Sequence, residues 1–147
     1  MSDITLISGS TLGSAEYVAE HLESLLQQDD FTTRLLHGPE LNEVEPENLW
    51  LVITSTHGAG DLPDNLQPFY ADLQTQRPDL SAVRYGAIGI GSSEYDTFCE
   101  AIVKMDQLLQ DLGAHRIGSL LKIDITQHDI PEDPAEVWLG SWIKLLK

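Results

Sequence analysis

The stretch Ile4-Thr5-Leu6-Ile7-Ser8-Gly9-Ser10-Thr11-Leu12-Gly13-Ser14-Ala15-Glu16 (ITLISGSTLGSAE) passes from an apolar run of strand length, through a turn rich in glycine and hydroxyls, into a helix-like run. Strand, tight turn and helix in that order form the anion-holding corner of α/β proteins. The glycines let backbone N–H groups turn inward, Ser10, Thr11 and Ser14 add donors, and the following helix contributes its positive end. No Lys or Arg stands in the stretch, so an anion here would be held by amides and hydroxyls alone. A nucleotide-triphosphate loop is excluded because no Gly-Lys-Ser/Thr occurs. Gly89-Ile90-Gly91 begins a dinucleotide fingerprint, but Glu94 occupies its third glycine position. A single phosphate monoester fits better, the plainer alternative being a simple strand-to-helix connection.

Working outward, apolar runs of strand length recur at Ile4 to Ile7, Thr32 to Leu36, Leu49 to Thr54, Tyr85 to Ile90 and Leu120 to Ile125. Between them the period becomes helical. Ala15, Val18, Leu22, Leu25 and Leu26 share one face, as do Phe98, Ile102, Met105, Leu108, Leu109 and Leu112, a helix that Gly113 closes in a left-handed cap. A shorter helix is expected to begin after Asp64 or Asn65 and to run through Phe69, Tyr70 and Leu73 to Pro78. Near the C-terminus, Asp133 reads as an N-cap with Pro134 at the first helical position, followed by a stripe of Trp138, Trp142 and Leu145 whose tryptophans pack on the sheet. Gly38 to Asn48 reads as a surface connection. This alternation predicts an α/β class, a doubly wound five-stranded parallel sheet with helices on both faces, formed by residues 1–147 as one domain. Ligands of such folds bind beyond the carboxyl ends of the strands.

Charge narrows the partners. Twenty-four acidic against eight basic side chains give a formal net charge of −16 over 147 residues. Such a surface repels nucleic acid and anionic membranes and steers toward basic protein faces, although solubility alone would also account for it. No apolar run has the length of a bilayer span, and Met-Ser-Asp-Ile lacks a signal-peptide pattern, so a soluble cytoplasmic protein is expected. The single cysteine, Cys99, leaves no internal disulfide or paired-Cys zinc site and reads as a small buried hydrophobe on a helix. His21, His37, His115 and His128 show no metal-ligand spacing and are expected in solvent, and Glu132 and Asp133 read as helix-start residues, so no metal is expected.

Two further loops share the carboxyl edge in this architecture. Thr54 to Asn65 (TSTHGAGDLPDN) and Gly89 to Cys99 (GIGSSEYDTFC) each carry glycines for close backbone approach and one planar ring, His57 or Tyr95. Two planar side chains beside a phosphate turn suggest a flat heteroaromatic ligand between them, favouring flavin mononucleotide (FMN).

The segments GSTLGSAEY, STHGAGDLPDN and GIGSSEYDTFC together resemble the flavodoxins and the flavodoxin-like domain of diflavin reductases, in order and across essentially the whole chain. The resemblance implies strand order 2-1-3-4-5 and bound FMN. It implies that Ser10, Thr11, Leu12, Gly13, Ser14 and Ala15 cradle the phosphate and that Thr56, His57 and Gly58 contact the ring, with the Gly58 carbonyl near N5. Tyr95 would stack on the outer face. Gly91, Ser92 and Cys99 would meet the pyrimidine edge through backbone groups, Ile90 would belong to the same cofactor-binding set, and Phe98 would line the pocket or the core. His57 stands where many relatives place Trp or Tyr, and Ser92 where flavodoxins often have an acid. The implied role is that of a monomeric electron carrier without catalytic residues of its own, passing single electrons from a basic-faced flavoprotein reductase to an acceptor redox enzyme. Likeness to short enterobacterial members implies biotin synthase as that acceptor. The competing readings are an FMN-dependent reductase of quinones or other small acceptors, and a phosphate-responsive receiver. A receiver needs acids after the first strand and an Asp ending the third, where this chain has Ser8-Gly9 and Thr54-Ser55.

Overall fold

Leu49 to Ile53 are all buried, with Leu49, Leu51 and Ile53 facing one apolar cluster and Trp50 and Val52 facing another. A strand buried on both faces reads as a continuous apolar run, and this one lies in the middle of a parallel sheet. The computed structural model describes residues 3–10, 14–44, 48–56, 62–94, 99–128 and 130–146. In chain order these form β1 (Asp3–Gly9), α1 (Ser14–Gln28), β2 (Thr32–His37), β3 (Asn48–Ser55), α2 (Gln67–Gln76), β4 (Val83–Gly91), α3 (Glu100–Asp111), β5 (His115–Arg116), β6 (Leu121–Asp124) and α4 (Glu132–Leu146). The sheet runs β2-β1-β3-β4-β5, with β6 also paired to β4 and every pairing parallel. The expected order and doubly wound architecture are therefore found.

The helices fall on two sides. Ala15, Val18, Leu22 and Leu26 of α1 and Ala135, Leu139 and Trp142 of α4 cover one face. Phe69 and Leu73 of α2 and Ile102, Met105 and Leu109 of α3 cover the other. Contact between α3 and the sheet is close: a Cβ at Gly89 would lie 2.3 Å from Ile102 Cγ2. Only a residue without a side chain fits there.

The last strand, the start of α4 and the connection after β2 depart from the sequence reading. The last strand is split: between the pairs Tyr85↔Arg116 and Ile88↔Leu121 the outer chain takes five steps while β4 takes three. Gly118, at φ +76°, turns the chain out of the sheet there, and the Trp138 indole N–H donates to Ser119 O at 3.0 Å. Trp138 thus holds this excursion while stacking on the buried Trp142 at 5.5 Å between ring centroids, and Leu145 lies largely in solvent. Helix α4 begins at Glu132, which places Asp133 and Pro134 inside its first turn, where a missing amide hydrogen costs nothing. Helix α2 begins at Gln67, with Pro68 in its first turn, and ends at Arg77 in a left-handed cap before Pro78. The expected surface connection after β2 buries Leu41 and Val44. Gly113, at φ +102°, closes α3 as expected. No helix among the described residues is long and apolar enough to cross a membrane.

Candidate cofactor site

Parallel pairing brings the carboxyl ends of four strands level. Gly9 pairs with Thr54, Ser55 with Ile90, and Gly91 with Asp124, so the loops after β1, β3 and β4 open on one edge as the sequence predicts. Thr11, Leu12, Gly13, His57, Gly58, Tyr95 and Phe98 lie outside the described residues; the remaining expected positions, Ser10, Ser14, Ala15, Thr56, Ile90, Gly91, Ser92 and Cys99, all lie on this edge or at the helix starts beside it.

The end of β1 and the residue after it carry buried polar groups. Ser8 is fully buried and its Oγ hydrogen-bonds Nδ1 of His37 at the end of β2, while Gly38 N donates to Ser8 O at 2.8 Å. His37 is exposed as expected, and its ring is also tied to Ser8 at the end of β1. His21 is likewise engaged, with Nε2 3.2 Å from Glu136 Oε2, joining α1 to α4. His115 and His128 are exposed as expected. Ser10, next in the turn, is 7% exposed, and its hydroxyl has no hydrogen-bond partner. A buried hydroxyl without a partner costs about 1–3 kcal/mol. Its position, one turn before the start of α1, is where a phosphate would accept from it.

Thr56 ties the second loop to its neighbours. Its N–H donates to Ile90 O at 3.2 Å, tying the second loop to β4, and its Oγ1 accepts from Ala101 N at 3.2 Å. That second bond caps α3, whose own N-cap residue Cys99 offers no side-chain bond and sits at φ +55°. The hydroxyl hydrogen of Thr56 is left over for a ligand. Cys99 is buried, and burial pushes its thiol up to about 11, which fits a small interior residue and not a nucleophile. It stands at the helix cap, one residue before the helix proper.

Asp124, at the end of β6, is a residue that sequence reasoning misses. Its Oδ1 accepts from Ser93 N at 3.1 Å, Thr126 N at 3.0 Å and Thr126 Oγ1 at 2.7 Å, and Ile125 N donates to Gly91 O at 2.9 Å. Hydrogen bonds from Ser93 and Thr126 hold the carboxyl well below the usual range, against an opposing effect of burial. The third loop is thereby pinned to the last strand, and Ser92 Oγ accepts from Glu94 N at 3.3 Å within the same turn. The only sequence signal is an acid closing the run Leu121-Lys122-Ile123-Asp124.

Asn65, in sequence merely a helix start, packs with its neighbour Leu66 against the ends of β1 and β2. A Cβ at Gly38 would lie 2.5 Å from Asn65 O, and one at Gly9 would lie 2.7 Å from Leu66 Cβ. No group of His, Cys, Asp and Glu among the described residues could hold a metal ion.

A turn of amides and hydroxyls at a helix start, flanked by two loops on one sheet edge, matches a known family. The flavodoxin family profile matches residues 6–138. The chain belongs to the flavodoxin family. It is 67% identical to protein MioC of Escherichia coli O157:H7 over 147 residues, covering all of both chains. Among solved structures, a cysteine-to-serine mutant of flavodoxin from Pseudomonas aeruginosa superposes with a TM-score of 0.90 at 35% identity, covering 98% of each chain. A flavodoxin from Fusobacterium nucleatum, solved bound to flavin mononucleotide, shares the fold at a TM-score of 0.75 and 14% identity, again over 98% of each chain. For a flavodoxin the expected cofactor is FMN, and this edge fits it. The orphaned Ser10 hydroxyl suits a phosphate oxygen, and the free hydroxyl hydrogen of Thr56 faces no competing acceptor among the described contacts.

Proposed function

We propose that this flavodoxin is an FMN-binding electron carrier that accepts single electrons from a flavoprotein reductase and passes them to an acceptor enzyme. The observation that carries the reading is the buried, unpartnered Ser10 hydroxyl, in a stretch without cationic side chains between β1 and α1. Bound FMN supplies the one-electron redox chemistry, and the chain's residues supply its holding and its electrostatics. The turn from Ser10 to Ala15 holds the phosphate with amides, hydroxyls and the positive end of α1. Thr56 and the pinned turn at Gly91 and Ser92 would hold the ring. A net charge of −16 opposes further negative charge on the reduced ring and so lowers its potential.

The same charge favours fast docking to basic faces of donor and acceptor, with loss of rate as salt rises. Biotin synthase is the acceptor to test first, on the likeness read from the sequence, and a soluble cytoplasmic monomer is the form in which such a carrier works. Steady-state NADPH oxidation tests the reading. The chain alone is expected to oxidise none, and an added flavoprotein reductase is expected to pass electrons through it at a rate that falls between low and high salt. Turnover of NADPH with a quinone by the chain alone would replace the carrier with a reductase.

A further inference from the structure

Three buried side-chain polar atoms among the described residues have no hydrogen-bond partner: Ser10 Oγ, Asn65 Oδ1 and Trp142 Nε1. Two of the three flank one contact, the approach of Leu66 to Gly9: Ser10 follows Gly9 and Asn65 precedes Leu66. Such orphans are rare in folded proteins, and a pair of them at one junction calls for a shared partner.

The orientation of the Asn65 amide is settled by its neighbour. Nδ2 points to Glu16 Oε1 of α1 at 3.5 Å, and a carboxylate accepts only, so the donor end of the amide must face it. The acceptor end, Oδ1, is thereby turned into the buried junction. Packing keeps it there, because the Asn65 backbone closes on Gly38 and its neighbour Leu66 closes on Gly9. An oxygen that can only accept is wrong for a phosphate and right for an O–H donor.

Resting on the FMN reading above, we infer that Asn65 is a further cofactor-binding residue whose Oδ1 accepts from a hydroxyl of the ligand's polyol chain, next to the phosphate held at Ser10. Glu16 is its positioning residue. The pairing divides the labour: Ser10 recognises the anion as a donor, and Asn65 recognises the adjoining polyol as an acceptor. It also distinguishes an FMN site from a bare phosphate site, which would have no use for a buried carbonyl.

The test compares Asn65→Ala and Asn65→Ser with the parent, each as the full chain freed of flavin, titrated with FMN, riboflavin and lumiflavin. Riboflavin keeps the polyol without the phosphate, and lumiflavin lacks both. Loss of one hydrogen bond predicts affinities for FMN and riboflavin lower by roughly five- to tenfold in Asn65→Ala, with lumiflavin affinity unchanged. Asn65→Ser, which keeps a small oxygen, is expected to lose less. The flavin-free melting temperature of Asn65→Ala should stay level or rise, because the substitution removes an unsatisfied buried acceptor. A residue that merely packs would instead lower it. Unchanged riboflavin affinity, or equal losses for all three ligands, would overturn the inference while leaving the cofactor reading intact. Failure of the parent to bind FMN would overturn that reading itself.

Discussion

Toward the amino end of the sheet, Tyr85, Asp106 and Arg116 are joined in one satisfied network. Tyr85 on β4 donates to Asp106 Oδ1 on α3 at 2.5 Å, and Arg116 on β5 reaches Asp106 Oδ2 at 2.7 Å. Burial, with Asp106 beside it, pushes the Tyr85 hydroxyl above its ordinary value. At the carboxyl end, Ser10 Oγ and Asn65 Oδ1 are buried and unpartnered, and Thr56 keeps a hydroxyl hydrogen in hand. Helix α3 spans both ends, so the difference does not come from different scaffolding. The amino end uses its polar groups to hold the fold together. The carboxyl end leaves them for a ligand, at a cost in stability that binding recovers. Trp142 Nε1, the third unpartnered atom among the described residues, lies beside Gly86 on β4, and nothing in the structure explains it.

The largest expected effect removes the scaffolding common to both ends. Gly89→Val would drive a side chain into Ile102 Cγ2 and displace α3 from β4. Overpacking of this kind costs about 3 kcal/mol, which for a chain of this size lowers the melting temperature by roughly 6–12 °C. Thermal melts should show that drop, accompanied by weakened FMN binding. Ser10→Ala separates the two ends: FMN affinity should fall about tenfold while the flavin-free melting temperature holds. A parallel fall in both would erase the distinction drawn here. Tyr85→Phe is the mirror image, expected to cost about 1 kcal/mol and roughly 2–4 °C with the FMN dissociation constant unmoved. Chemical denaturation and a flavin titration of the same sample would check both halves.

The smallest effect at neutral pH belongs to Asp124→Asn, because the amide oxygen can still accept from Ser93 and Thr126. Its interest lies in pH. A carboxyl lowered in the folded state contributes stability that is present above the unfolded value, about 3.9, and is lost as pH falls through the folded value. The stability gap between parent and variant should therefore be full at pH 7 and shrink in urea melts below about pH 4. A gap independent of pH would mean that the charge of Asp124 contributes nothing.

Local pattern made the scaffold readable. Ile4 to Glu16 carries strand, turn and helix signals in contiguous residues, and the β3 run announces a strand buried on both faces. Gly113 marks a helix end because its backbone conformation is a property of the residue itself. The contacts that tune the site escaped because each joins distant segments. Thr56 caps α3 from 45 positions away, Asn65 meets Glu16 across 49, and His37 reaches Ser8 across 29. The split of the last strand had a similar cause, since Trp138 binds the excursion at Ser119 only after α4 has packed. Composition and periodicity carry no record of such encounters. A histidine at a strand end, and an asparagine and a threonine in loops, therefore read as ordinary surface or turn residues.

The central claim is that the carboxyl edge holds FMN through amides and neutral side chains. Equilibrium titration of the flavin-free chain with FMN, followed by flavin fluorescence, tests it most directly. The account predicts saturable quenching at one FMN per chain, with Ser10→Ala shifting the dissociation constant about tenfold. No quenching by the parent chain, or binding indifferent to Ser10, would contradict it.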